Sequence, residues 1–348
     1  GNFDQAAASA AEVEKDRADT GDGLMWMLEA GKASFAKGDY QASLAYFDAA
    51  EKKIYEFDQR AEVSARDVSS EAGAALTNPN AIPYRGSYVD REMLNTYKAL
   101  IYFALGKPED ACVELRRMHE RQKKALEGHE ADIKAANDMA DKNKVNVDQL
   151  SGTSPELAKA NADLNAHSIQ SYSSRMNPFC SYLSAIGYLW RGDLNEAMVD
   201  YRNLRAMDPA NPLINQDYVT IGRQTGEKIP PELAQIQAAN YSLGKNVVFL
   251  LVENGMVPSR RAVTVHMILP PPIGYTGFAF PVLDYTQPAL GRVDWSDNFG
   301  NKGQTFRISD MDAVAAFEFK DAMREMLIRT IVAIHVKEGA TTTAYELT

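Results

Sequence analysis

Residues 186–209, "IGYLWRGDLNEAMVDYRNLRAMDP", contain the pattern that decides the predicted fold. Gly192 separates two runs of apolar residues, and the second run recurs at helical spacing. Pro209 stands where that run stops, and proline cannot continue a helix. The stretch therefore predicts two helices joined by a tight turn at the glycine.

The side chains around this turn suit two closely packed antiparallel helices. Ala185 and Ala197 are small enough to let the helices approach, and the rings of Tyr188 and Tyr201 fill the space on either side. The order small residue, aromatic, turn, Ala-x-x-x-aromatic and proline is typical of the tetratricopeptide repeat.

The same spacing recurs twice earlier in the chain, in "AGKASFAKGDYQASLAYFDAAEKKI" (30–54) and "TYKALIYFALGKPEDACVELRRM" (96–118). The residues at the matching offsets are Gly31, Gly38, Ser43 and Phe47, and Ala99, Gly106, Ala111 and Leu115. The turn glycines lie 68 and 86 residues apart, so the units are not contiguous 34-residue repeats. An ordinary helical bundle with glycine turns is the alternative interpretation.

The charge distribution limits the class of partner. The 348-residue chain has a net charge of −10, of which −9 falls before residue 244 and −1 after it. Nucleic-acid binding requires a concentrated basic surface, so a nucleic-acid partner is not expected. Attachment to an anionic membrane by charge alone is not expected either.

The sequence shows no transmembrane segment and no visible signal peptide. No purely apolar run, Val247–Val252 included, approaches the ~20 residues that span a bilayer. Cys112 and Cys180 are interpreted as small buried apolar residues, with a disulfide between them as the open alternative.

A polar insertion lies between the second and third units, from about 113 to 175. Its first half has few apolar positions, which mark a thin stripe of roughly heptad spacing: Met118, Leu126, Ile133 and Ala140. After a break, Ser154 and Pro155 mark the start of a new helix. These features predict a protruding helical hairpin, here called the arm. Its charge is either a solvated face or a contact for a partner.

The composition changes near residue 244. Four segments have strand character: Val247–Val252, Ala262–Leu269, 276–285 and 304–309. Ser309 and Asp312 then resemble a capping box that begins a long amphipathic helix. This part of the chain predicts a small antiparallel sheet covered by one helix.

The predicted fold class is therefore mainly α: tetratricopeptide-like helical repeats with an inserted helical hairpin, followed by a small α+β module. The predicted domains are an N-terminal linker over 1–22, the repeat domain over 23–240 with the arm at about 113–175, and the α+β C-terminal domain over 241–348.

The order of these segments resembles a group of uncharacterised tetratricopeptide-repeat-like lipoproteins of Gram-negative bacteria. The resemblance is carried, over about half of the chain, by "GDYQASLAYFDAAEKKI", "PYRGSYVDREMLNTYKALIYFALG", "VVFLLVENGMVPSRRAV", "GFAFPVL" and "DMDAVAAFEFKDAMREMLIRTIVAIHVK". It implies an exported, periplasmic protein that a lipid on an N-terminal cysteine holds to the outer membrane. That cysteine would precede Gly1. The final helix of these proteins is followed by a further segment, whereas this sequence stops at "TTTAYELT".

No catalytic or metal-binding motif is visible. The five histidines form no His-Glu-x-x-His pair, and neither a phosphate-binding loop nor a Gly-x-Ser-x-Gly turn occurs. We expect no metal site, no cofactor and no enzymatic activity.

One polar cluster stands out as a partner-binding patch, "IPYRGSYVDRE" at 82–92. It contains Tyr84, Arg85, Tyr88 and Arg91, and both residue types are enriched at binding hot spots. The alternative is that the tyrosines pack the loop onto the repeats and the arginines pair with nearby acids. A second, weaker site is the pair Arg260 and Arg261, placed in a hairpin loop.

The expected function is that of a non-enzymatic scaffold or adaptor of the cell envelope that binds a protein or peptide through its repeats. Two alternatives from other classes stay open. One is an envelope hydrolase whose site forms only in three dimensions. The other is a small-ligand receptor with a pocket between the domains.

Overall fold

The structure is a computed structural model that describes residues 2–64, 83–142, 146, 154–168, 176–239, 247–269, 274–288 and 290–346. The chain divides into two compact units, Gly1–Val145 with Arg324–Thr348, and Asn146–Met323. The described chain is mostly helical with a small antiparallel sheet and a long last helix, which confirms the predicted fold class.

The first unit contains helices that are joined by sharp turns at glycine residues. They are α1 (Phe3–Arg17), α2 (Gly23–Lys37), α3 (Tyr40–Ser64), α4 (Tyr88–Ala104) and α5 (Pro108–Lys142). Gly38 joins α2 to α3 with φ of 85°, and Gly106 joins α4 to α5 with φ of 69°. Both values lie in the left-handed region, which side chains disfavour. Two predicted hairpin turns are thereby confirmed.

The close contact between α2 and α3 depends on a glycine, Gly31, which has no side chain. A Cβ atom at Gly31 would lie 2.6 Å from the ring of Phe47, so the glycine leaves room for the aromatic ring. The hydroxyl of Ser43 donates a 2.7 Å hydrogen bond to the carbonyl oxygen of Gly31 at the same contact. Phe47 belongs to a buried apolar cluster that includes Leu24, Ile54, Leu94 and Ile101.

The second unit repeats this arrangement. Its helices are α6 (Pro155–His167), α7 (Pro178–Arg191), α8 (Leu194–Met207) and α9 (Pro212–Thr225), followed by a 3-10 turn at Pro231–Leu233. Gly192 joins α7 to α8 with φ of 82°, as predicted. Ala185, Ala197 and Tyr201 are fully buried, as their spacing indicated. The ring of Tyr201 meets the edge of Tyr182 at a centroid distance of 6.3 Å.

A long antiparallel hairpin lies in the second unit. The strands are β1 (Ser259–Leu269), β2 (Gly274–Asp284) and a short separate pair, β3 (Asp294–Ser296) with β4 (Lys302–Gln304). In the register of the long hairpin, His266 lies opposite Gly277 and Ala262 opposite Pro281. One face buries Val265, Met267, Phe280 and Val282. Helix α6 packs against both long strands, and Leu157 and Leu164 on it are buried.

Three local predictions about this part of the chain are wrong. Val247–Val252 forms no strand and is exposed, because the run has no hydrogen-bonding partner strand among the described residues. Only Gln304 of the predicted strand 304–309 lies in a strand. The cap of the last helix, α10 (Met311–Glu346), was predicted at Ser309 and lies at Asp310 instead. The carboxylate of Asp310 accepts hydrogen bonds from the N–H groups of Asp312 and Ala313.

The predicted linker over 1–22 contains α1, and the predicted arm range contains most of α5 and all of α6. The domain limits and the arm itself stay predictions. Among the described residues, no helix combines the length and apolarity needed to cross a membrane. Cys112 and Cys180 are both buried, and neither forms a disulfide with a described residue.

Candidate functional site

The segment before α4 holds the predicted recognition patch: Tyr84, Arg85, Tyr88 and Arg91. A reciprocal cap fixes the end of this segment. The hydroxyl of Ser87 accepts a hydrogen bond from the N–H of Asp90 at 3.1 Å, and the carboxylate of Asp90 accepts one from the N–H of Ser87 at 2.8 Å. The cap orients the start of α4 and therefore the patch.

Tyr84 is held on the protein rather than presented to solvent. Its ring packs against the buried cluster around Leu24 and Leu94, and its hydroxyl donates to the carboxylate of Asp90. Its backbone N–H donates to the carbonyl oxygen of Gly21 at 2.8 Å. These contacts agree with the interpretation in which the tyrosine packs the loop onto the helices.

The two arginines of the patch have different surroundings. The guanidinium of Arg91 forms a 2.8 Å ion pair with Asp58 and donates to the carbonyl oxygen of Arg85 at 3.0 Å. The side chain of Arg91 is only 19% exposed, whereas Arg85 is exposed. Tyr88, the first residue of α4, is half-buried. The structure thus brings all four residues together, and a role in binding stays a prediction.

The second predicted pair, Arg260 and Arg261, lies near the start of β1 and not in a hairpin loop. The prediction of a loop failed because the ladder with β2 extends back to Ser259, which pairs with Asp284. Both arginines are exposed, and the guanidinium of Arg260 lies 5.6 Å from the ring centroid of Phe319. This stacking gives Arg260 a packing role in addition to its charge.

The sequence reasoning missed a buried ionic cluster between α3, α4 and α5. Its centre is Lys98, whose side chain is 3% exposed. The ammonium group lies 2.9 Å from Asp48, 2.8 Å from Glu51 and 3.2 Å from Glu114. Three acidic groups from two helices therefore surround one buried cation.

Two arginines of α5 complete this cluster. Arg121 forms a 2.8 Å ion pair with Glu51, and Arg117 forms a 2.9 Å ion pair with Glu114. The amide of Asn95 also donates to Glu114, at 2.6 Å. The cluster contains three acidic and three basic side chains, so its charges balance internally. Such a balanced group joins helices and offers no net charge to a ligand.

The electrostatics of the cluster follow from these contacts. Burial acts to raise the pKa of Glu51, but the hydrogen bonds and charge of Lys98, with the bonds from Asn95 and Arg121, lower it to about 2. Burial acts to lower the pKa of Lys98, and the hydrogen bonds and charges of its acidic partners raise it above its ordinary value. Both groups are therefore held in their charged forms.

A second polar group lies in the second unit, beside a cleft lined by Ala160, Asp163, Leu164, Val282, Leu283, Tyr285 and Phe319. The ring of Tyr285 stacks on His167 at a centroid distance of 3.6 Å. Burial, followed by the charges of Asp312 and Asp163, raises the pKa of Tyr285 to about 12. A phenol with so high a pKa stays protonated at neutral pH and suits hydrogen-bond donation rather than nucleophilic attack.

Within the described part of the chain, no three His, Cys, Asp or Glu side chains are placed to hold a metal ion. The described histidine side chains have structural partners. The Nδ1 atom of His266 lies 2.7 Å from the hydroxyl of Tyr275, and that of His119 lies 3.2 Å from the side-chain oxygen of Gln122. The side chains of His129 and His335 lie outside the described set.

Comparison of the chain with protein-family models and with curated proteins found no match. The resemblance to Gram-negative lipoproteins therefore rests on the sequence segments alone.

Proposed function

We propose that this protein is a non-enzymatic scaffold or adaptor of the cell envelope that binds a protein or peptide through its helical hairpins. The observation that supports this most is the recurrence of one hairpin design at Gly38, Gly106 and Gly192, with small residues at the helix contacts. Stacked hairpins of this design present extended surfaces suited to protein segments.

Exposed apolar side chains on the hairpins support the same proposal. Tyr55 on α3 is 62% exposed and Trp190 at the end of α7 is 55% exposed. Aromatic side chains of this size supply much of the energy at binding hot spots. Val113 on α5 and Val199 on α8 are further exposed apolar residues on the same type of element.

The patch before α4 supplies the charge for the proposed contact. The side chain of Arg85 is exposed there. The guanidinium of Arg91 holds the backbone of Arg85 through a 3.0 Å hydrogen bond to the Arg85 carbonyl oxygen. An exposed guanidinium recognises carboxylates with paired hydrogen bonds. The proposed partner is therefore a protein or peptide that presents an acidic side chain or a terminal carboxylate. Arg260 and Arg261 form the second proposed contact.

The proposed location is the periplasm, with an N-terminal lipid holding the protein to the outer membrane. This part of the proposal is supported only by the sequence resemblance. Selective labelling of intact cells and of isolated outer membranes would test it directly.

The test of the adaptor proposal is affinity capture from envelope extract, followed by measured binding of each captured protein. We expect Arg85→Ala to weaken binding about thirtyfold, since a hot-spot truncation costs on the order of 2 kcal/mol. Arg292→Ala is the matched control, because Arg292 is 63% exposed and lies in the other unit. Equal binding by both variants would contradict the assignment of Arg85. If no captured protein binds the purified chain, the proposal that this protein is an adaptor is contradicted.

A further inference from the structure

The exposed large apolar side chains of this protein are concentrated in one part of the second unit. Of nineteen such side chains among the described residues, fourteen lie within 247–306. A soluble chain seldom keeps so many together without a partner for them. This region differs from the helical hairpins, whose exposed apolar residues occur singly.

The run Val247–Val252 is the centre of this region. All six side chains are apolar, and their exposure ranges from 38% to 91%. No helix, turn or ladder includes the run, and no backbone hydrogen bond joins it to another described residue. Valine, phenylalanine and leucine runs of this length are typical strands. The run therefore has the composition of a strand but belongs to no sheet among the described residues.

The hairpin of β1 and β2 has the complementary feature, a sheet edge with no described strand beside it. Pro281 of β2 lies opposite Ala262 within the ladder, and a proline in a strand places its nitrogen, which carries no hydrogen, on the side away from the partner strand. Gly277 lies four residues earlier on β2, so its N–H also points away from β1, at the outer edge of β2.

Pro281 defines how much of the β2 edge can accept a strand. It lies four residues after Gly277, so its backbone nitrogen faces the same outer edge and offers no N–H. The β2 edge before Pro281 is therefore 274–280, seven residues long, and Tyr275, Gly277 and Ala279 on it are exposed. This edge is long enough for the six-residue run to pair along 275–280.

The charges favour another copy of this chain as the partner. Residues 247–306 contain four acidic and four basic side chains, so this region is neutral, although the whole chain carries −10. Two copies of an acidic protein meet with the least local repulsion at such a region. A basic partner or an anionic membrane would have no excess charge to recognise there.

We propose that two copies of this chain assemble by strand exchange, with Val247–Val252 of each copy pairing with the 275–280 edge of β2 in the other. The exchange supplies backbone hydrogen bonds to both unpaired segments and covers the apolar run. A two-fold arrangement satisfies both copies at once. This inference goes beyond the adaptor proposal and does not depend on it.

Two contacts hold the link between the run and β1 in place, so cross-linking between copies distinguishes exchange from pairing within one chain. The side-chain amide of Asn254 donates to the carbonyl oxygen of Leu290. A Cβ atom on Gly255 would lie 3.3 Å from the side chain of Pro288, so the link also lies close to that residue. The link is thus held beside 288–290, the segment that follows β2 in the chain.

Analytical ultracentrifugation of the full chain over a range of concentrations tests the proposal. We expect a concentration-dependent dimer. Leu250→Lys, which charges the run, and Ala279→Pro, which removes an outward N–H but no bond to β1, should each raise the dimer dissociation constant at least tenfold. Val113→Lys is the matched control, since Val113 is an exposed apolar residue on α5, and it should leave the dimer intact.

Disulfide trapping decides the partner independently of folding defects. A mixture of Val248→Cys and Ala279→Cys chains should give a disulfide-linked pair on oxidation, because antiparallel pairing of the two six-residue segments places Val248 opposite Ala279. The two native cysteines are buried and should not compete. Wild-type protein that stays monomeric at every concentration would overturn the proposal. A dimer that survives Leu250→Lys would do the same, as would a doubly substituted chain that cross-links only within itself.

Discussion

The ammonium group of Lys98 lies 2.8 Å from the carboxylate of Glu51, in a helical core where the lysine side chain is 3% exposed. This pair joins α3 to α4, and Glu114 and Arg121 extend the connection to α5. A lysine so deeply buried is stable only because carboxylates surround it.

We expect Lys98→Met to destabilise the protein by about 3 kcal/mol, because it leaves buried carboxylates without their cation. Urea unfolding followed by circular dichroism measures the change. Lys123→Met is the matched control: Lys123 lies on α5 with its side chain 79% exposed, and its loss should cost less than about 0.5 kcal/mol. Equal unfolding midpoints for the two variants would show that the cluster does not stabilise the fold.

The stability supplied by Glu51 should depend on pH. Its pKa in the folded state is about 2, below the ordinary value of 4.5, so the folded state favours the carboxylate. The contribution is complete above about pH 4.5 and is lost as the pH falls towards 2, with a total of about 3 kcal/mol at most. Unfolding free energies of the wild type and of Glu51→Gln should therefore converge as the pH falls through this range. A constant difference between pH 6 and pH 2.5 would contradict the prediction.

The contact between α2 and α3 gives a packing prediction. Gly31→Ala should destabilise the hairpin by about 1–2 kcal/mol, although alanine is the better helix former, because its Cβ would lie 2.6 Å from the ring of Phe47. The double variant Gly31→Ala with Phe47→Leu should lose less stability than the two single changes added together. Simple additivity in thermal unfolding would indicate that the two residues do not constrain each other.

Substitutions of the two arginines of the patch should have different effects on the stability of the protein. Arg91→Ala removes the ion pair with Asp58 and the bond to the carbonyl oxygen of Arg85, at a cost of about 1–2 kcal/mol. Arg85→Ala changes an exposed side chain and should leave the melting temperature almost unchanged. Calorimetry of both variants checks this, and the opposite order would reverse the roles assigned to them.

The features that local chemistry determines could be predicted from the sequence. The turns at Gly38, Gly106 and Gly192 require a left-handed residue, and the cap at Ser154 requires a side chain that accepts a hydrogen bond before Pro155. Such requirements act over a few residues and leave a visible pattern. The predicted fold class follows from them.

The features that depend on distant partners were missed or misplaced. Lys98 and its acidic partners come from three helices, and the sequence shows spacings within one helix, such as Glu114 and Arg117 on α5, but not contacts between helices. Val247–Val252 has strand composition, but a strand exists only with a partner, which composition does not supply. Asp310, not Ser309, caps α10, and the Ser309 hydroxyl donates to the side-chain oxygen of Asn177, which lies 132 residues earlier in the chain.

At the turns of Gly38 and Gly106, the backbone conformation restricts the chirality of the residue, and its size is not restricted. A Cβ atom at either position would meet no other atom within 4 Å, so only the backbone conformation excludes an L-residue. D-alanine has the opposite preference and occupies this conformation without strain. Chemical synthesis or ligation that places D-alanine at these turns should therefore stabilise the hairpins, because it restricts the unfolded chain and introduces no steric contact.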